Sequence, residues 1–301
     1  MNHPANIDPN RIPDDLLAEL YPEDPPPTVR ARLLRRVGQA ATASRIAAAH
    51  GVGAAGVLFD VLPNVHWNGE PIATHRPVVI VGGYGSRPEF YRLLARSYRE
   101  AGIGSVHIVP LIENAYSDIR ENILRLENII DGLGCDVDIV GHSEGGLIAR
   151  GFVKFRNAAD RVPHVVTICS PNQGLTFDRL DPVRLVKSPV ARRASQVARQ
   201  RLAPLIELLS SVALQQMLAG SEFMRELNAT PATPEPTQWL SISSRHDGVV
   251  PFATMDLPDA ANVTNVTMET TWRNGNHAAI ATTNEEAFRT TLSFLSHGRD
   301  Q

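Results

Sequence analysis

From Pro77 onward the chain alternates short, continuous apolar runs with amphipathic segments, and this rhythm restricts its fold more than any other feature. The runs are VVIV (78–81), SVHIVP (105–110), DVDIV (136–140), HVVTIC (164–169), QWLSIS (238–243) and NVTMETT (265–271). Between them, RPEFYRLLARSYREAG has a proline near its start and a glycine at its end, and SDIRENILRLENIIDGLG repeats Ile119, Ile123, Leu126, Ile130 and Leu133 along one helical face. A last helix is expected in EEAFRTTLSFLSHG. Strands that read apolar at every position are buried on both faces, so the alternation predicts an α/β chain with a mostly parallel central sheet and helices on both sides.

Two stretches break the rhythm. Residues 1–75 carry PEDPPP and then TVRARLLRRVGQAATASRIAAAHG, where Val29, Leu33, Val37 and Ala41 recur at helical spacing. This predicts an N-terminal helical extension ahead of a domain over 76–301. Its Arg30, Arg32, Arg35, Arg36 and Arg45 fit either peripheral contact with a membrane surface or, the preferred reading, a solvated helix face. Residues 176–236 are too long for a plain loop between two strands and are expected to fold as a helical cap insertion. Leu205, Ile206, Leu209, Val212 and Leu214 would supply its apolar face, lining a pocket or packing as ordinary core.

Composition narrows the partners. A formal net charge of −3 argues against nucleic acid, which selects a strongly basic surface. The opening MNHPANIDPNRIPDDLL lacks the positive and apolar regions of a secretory signal, and no apolar stretch reaches the roughly 20 residues of a membrane span. The only cysteines, Cys135 and Cys169, each beside an apolar run, read as two reduced core thiols, which points to a cytoplasmic protein.

The chemistry is carried by VGHSEGGL (140–147), a serine between glycines at i−2 and i+2, after one apolar run and before a helix-like one. A serine on a sharp strand-to-helix turn is forced into a strained backbone with its hydroxyl projecting above the sheet, and side chains at those flanking positions would collide. Gly141 and Gly145 remove the collision, and Ser143 becomes a candidate nucleophile at a helix N-terminus. The plainer reading makes Ser143 only a helix N-cap.

A nucleophilic serine needs a histidine to take its proton and an acid to orient that histidine. Asp247, in SISSRHDGVVPF just past an apolar run, is the candidate acid, and His277, in the loop WRNGNHAAI, the candidate base. Rivals are His142, His164, His246 and His297 among the histidines, and Asp138, Asp256 and Asp259 among the acids. An oxyanion hole needs two N–H donors: Glu144 follows the serine, and Tyr84 lies in the glycine-rich GGYGS (82–86) after VVIV. A phosphate loop is the competing reading of GGYGS, weakened by the missing lysine and Ser/Thr. Beside the oxyanion hole, the Glu144 carboxylate is expected either to repel anionic substrates by its charge or, if protonated, to hydrogen-bond a neighbouring acid.

These segments together resemble the α/β-hydrolase superfamily, and within it a bacterial lipase/esterase group similar to the yeast lipase B type. The resemblance runs from about Pro77 to His297, through VVIVGGYGS, VGHSEGGLIAR, VTICSPNQG, LAGSEFMRELN, PTQWLSISSRHDGVVPF and NGNHAAI. It implies an α/β-hydrolase fold and hydrolysis of carboxylic esters, small-molecule or lipid, through Ser143, Asp247 and His277, with no cofactor and no metal. Where such lipases carry Met or Gln after the serine, this chain has Glu144. The same residues would serve an acyltransferase if water were excluded, and a non-catalytic binding protein on this fold is the more distant alternative.

Overall fold

Six strands form one sheet, all parallel, in the order β2-β1-β3-β4-β5-β6. They are β1 Val78–Val81, β2 Val106–Val109, β3 Asp138–His142, β4 His164–Ile168, β5 Gln238–Ser244 and β6 Val263–Met268. The computed structural model describes residues 76–176, 211–271 and 274–296. The expected extension over 1–75, the part of the insertion over 177–210, and His297 lie outside the described residues.

The central strands β1, β3 and β4 are buried at every position, which is why they read as unbroken apolar runs. Helix α1 (Arg92–Glu100) follows the loop after β1, and α2 (Ile119–Leu133) buries Ile119, Ile123, Leu126 and Ile130, the stripe anticipated from spacing. Each such side chain contributes about 1.5–3 kcal/mol of burial. Helix α3 (Glu144–Phe155) is enclosed from Glu144 through Val153, so it is covered all round.

The described end of the insertion packs on this body. Helix α4 (Val212–Gln216) places Gln216 against the start of α2, where its side chain accepts from the Ile119 N–H and donates to Asp118. Helix α5 (Glu222–Asn228) is held by an Arg120–Glu226 ion pair and by Arg150, which donates to Asn228. Leu214 is buried as expected, whereas Val212 is exposed, pointing off the opposite side of the short helix; Leu205, Ile206 and Leu209 are not among the described residues. Cys135 also departs from expectation: it follows the end of α2 and is exposed, while Cys169 is buried.

Because β1 lies between β2 and β3, the chain order reverses there, and the loops leaving β1 and β3 diverge at the carboxyl edge of the sheet, where parallel α/β sheets place their ligands. Those loops touch through glycine. A Cβ on Gly145 would stand 2.1 Å from the Val81 carbonyl oxygen and 2.5 Å from that of Gly82. Gly145→Ala is therefore expected to destabilise by roughly 3 kcal/mol or more, since backbone cannot move aside as a side chain can. Gly132→Ala, exposed on α2 with open space around the new methyl, should instead stabilise by about 0.5–1 kcal/mol. Urea unfolding of both variants checks the opposite signs.

Candidate active site

Ser143 sits between β3 and α3 at φ 57, ψ −126, and its side chain makes no capping hydrogen bond, so the N-cap reading does not hold. Its N–H extends the β3–β4 ladder to the Ile168 carbonyl at 2.9 Å. A Cβ on Gly141 would fall 2.6 Å from the Gly145 backbone, and one on Gly83 2.6 Å from Ser143 Cβ. The GGYGS loop thus lies directly on the serine.

Asp247 follows β5 and His277 precedes α6 (Ala279–Thr282), and the two meet: His277 Nδ1 and Asp247 Oδ2 are 2.6 Å apart. The other carboxylate oxygen accepts the N–H groups of Val249 and Val250 at 2.7 and 2.9 Å. Burial pushes the Asp247 carboxyl up, but His277 and these N–H groups outweigh it and hold it below the ordinary carboxylate value. The histidine loop is fixed by Ser244, whose hydroxyl donates to the Gly275 carbonyl at 2.7 Å, and by Asn284, which donates to that of Asn274. Ser143 Oγ has no hydrogen bond to His277 among the described residues; such contacts are often long before substrate binds.

The rivals are placed elsewhere. Asp138 and His164 pair with each other at 2.9 Å and with Arg76 at the amino edge of the sheet, the end opposite Ser143. His246 is exposed and bonded to Thr270, and Asp256 and Asp259 lie in the loop between β5 and β6. His142 is fully enclosed and linked to the site: its Nε2 is 2.8 Å from the His277 carbonyl oxygen and its Nδ1 2.8 Å from the Tyr91 hydroxyl. The Gly83 N–H donates to the same hydroxyl at 3.0 Å.

Of the expected oxyanion donors, Glu144 opens α3, so its N–H is among those a helix leaves without an intrahelical partner. Tyr84 follows Gly83 on the loop that covers Ser143, and its hydroxyl lies 2.6 Å from Ser211 Oγ at the start of α4. Among the described residues, no three His, Cys, Asp or Glu side chains converge to hold a metal ion, and no helix is long and apolar enough to cross a membrane.

Residues 77–241, more than half of the chain, match the family model of palmitoyl protein thioesterase. The chain belongs to the palmitoyl protein thioesterase family. The matched span holds GGYGS and the elbow and ends before Asp247 and His277. Among solved structures, Aspergillus fumigatus lipase B is similar with a TM-score of 0.58 at 16% identity, over 77% of this chain and 55% of that one, so this chain spans about half the length of that lipase. The mature form of Bacillus licheniformis lipase BlEst2 is similar with a TM-score of 0.52 at 18% identity, over 78% of this chain and 96% of that one. A Paleococcus ferrophilus monoacylglycerol lipase gives 0.52 at 18% identity, over 75% and 96%. At such identities the likeness is one of fold, and it bears out the α/β-hydrolase expectation. No curated protein sequence matches the chain.

Around this site, several features escaped the sequence. Cys169, just past β4, adopts φ 46; burial, then the neighbouring Asp247 carboxylate, push its pKa up and keep it a thiol. Only its position after a strand hinted at this. The Glu144 side chain corrects the expectation: it has no exposure and, among the described residues, neither oxygen has a hydrogen-bond partner, so it neither presents a charge to the cleft nor bonds a neighbouring acid. Burial raises its pKa well above the usual 4.5, which favours the neutral acid in the native state. A raised folded-state pKa means that the native state binds more protons, so Glu144 erodes stability as pH climbs above the unfolded-state value. Glu144→Gln should therefore gain on the wild type in urea unfolding as pH rises from about 4 toward neutrality. A pH-independent difference would show the carboxylate ionised in the fold.

Proposed function

We propose that the chain is a serine hydrolase of acyl esters working through an acyl-enzyme on Ser143. The observation that carries the reading is the 2.6 Å His277–Asp247 pair at the same sheet edge as a serine held at positive φ between glycines. Ser143 Oγ attacks the ester carbonyl while His277 Nε2 takes its proton, and Asp247, on Nδ1, fixes the tautomer and stabilises the imidazolium. The N–H groups of Tyr84 and Glu144 receive the oxyanion. His277 returns the proton to the departing alkoxide, and water, activated by the same base, releases the acid. These steps use only groups of this chain.

One observation, the family match, favours a second reading of the substrate: a long-chain acyl thioester, cleaved by the same steps with a thiolate leaving in place of the alkoxide.

Ser143→Ala should abolish both hydrolysis and labelling by a fluorophosphonate probe, which reacts with activated serines. His277→Ala should lower turnover by roughly a thousandfold or more and Asp247→Asn somewhat less, residual rate coming from the oxyanion hole. Labelling at another serine, or near-normal turnover in either variant, would reassign that role. Palmitoyl oxoester and thioester of matched leaving-group size, assayed side by side, decide between the two substrate readings.

A further inference from the structure

We propose that Tyr91 and His142 are positioning residues that tie the glycine-rich loop after β1 to the histidine loop after β6, through the residue preceding the nucleophile. The inference rests on the reading of Ser143 and His277 given above. Its observations are three hydrogen bonds in series: Gly83 N–H to Tyr91 Oη at 3.0 Å, Tyr91 Oη to His142 Nδ1 at 2.8 Å, and His142 Nε2 to the His277 carbonyl oxygen at 2.8 Å.

The series has a single direction. A carbonyl oxygen only accepts, so His142 Nε2 carries hydrogen and donates to His277. If Nδ1 also carried hydrogen, Tyr91 Oη would face two donors and its own proton would be left with Ser86 Oγ at 3.4 Å, a hydroxyl already donating to the Gly83 carbonyl at 2.6 Å. The neutral ring avoids this: Tyr91 donates to Nδ1 and accepts from Gly83. Burial, then the neighbouring His277, lower the His142 pKa to about 3, and burial pushes that of Tyr91 up to about 12, so both stay in these forms across the working range. Each polar atom of the two side chains is thereby used.

Both ends of the series are backbone at the reacting centre. Gly83 is the residue that packs on Ser143, and its N–H is spent on Tyr91, which leaves the next N–H, that of Tyr84, for the oxyanion. At the other end the His277 carbonyl is held while its ring, bonded to Asp247, lies 4.7 Å from the His142 ring between centroids. The distance between oxyanion donor and general base is thus spanned by one phenol and one imidazole. Nothing in the local sequence requires this, since Tyr91 and His277 are brought together only by the sheet order β1-β3 and the return of the chain after β6.

The test is kcat per active site, with sites counted by exhaustive fluorophosphonate titration so that unfolded protein does not contribute, in Tyr91→Phe, His142→Phe, His142→Gln and the Tyr91→Phe/His142→Phe double variant. Misplacing reacting groups by about an ångström costs up to roughly a hundredfold, so Tyr91→Phe should lower kcat by about 10- to 100-fold with KM nearly unchanged. The double variant should lose no more than the worse single one, because either change breaks the same series. His142→Gln, whose amide can still donate to the His277 carbonyl, should lose less than His142→Phe. Wild-type kcat per site in Tyr91→Phe, or single losses that multiply in the double variant, would overturn the inference. Activity surviving in Ser143→Ala would instead overturn the underlying assignment of the nucleophile, so the two failures are distinguishable.

Discussion

The site depends on a backbone conformation that L-amino acids avoid. Ser143 at φ 57, ψ −126 carries a strain of about 1–3 kcal/mol, and it persists because its surroundings leave it no other conformation. Its N–H is locked to Ile168, its carbonyl accepts from Gly146, and the turn is gripped by close backbone contacts at Gly141, Gly145 and Gly83. The contact of Gly145 with Val81 and Gly82 matters most, because it joins the elbow to the end of β1 and thereby brings the glycine-rich loop over the serine. Without that approach the N–H groups of one loop and the hydroxyl of another would not share a space.

Around this turn, buried polar groups are sorted by their neighbours. Two carboxyl groups of the site are pushed in opposite directions: Asp247, with an imidazole and two N–H groups, is held as an anion, whereas Glu144, buried with no partner among the described residues, is held toward the neutral acid. The buried Cys169 thiol near the Asp247 carboxylate keeps its proton. Cys169 itself, at positive φ, is a second strained backbone at the same edge. Divergent environments for chemically similar groups are how one site separates the roles of acid, base and bystander.

The segment ending the insertion contributes anchorage. Tyr84 of the glycine-rich loop meets Ser211 at the start of α4, Gln216 is bonded to the start of α2, and α5 is tied down by Arg120 and Arg150. Arg150 is fully buried, donates to Asn172 and Asn228, and burial lowers its pKa to about 9. It links the helix that follows the nucleophile to the chain just before the insertion and to the insertion's own helix α5. The insertion's return is thus fastened to the same elements that carry the serine.

The sequence alone determined the elements and the candidate chemistry. Continuous apolar runs specify strands buried on both faces, glycines at i−2 and i+2 specify a turn that tolerates no Cβ, and the order Ser143, Asp247, His277 follows from successive loops at one sheet edge. These are local signals, or consequences of chain order in a parallel sheet. The tertiary structure alone decided which polar groups meet. It sent Asp138 and His164 to the far edge as a pair, enclosed Glu144 without a partner among the described residues, and turned His142 from a rival for the catalytic base into a link between loops far apart in the chain. No periodicity encodes such contacts, because hydrogen-bond partners and burial are set by residues that only strand order and close packing bring within reach.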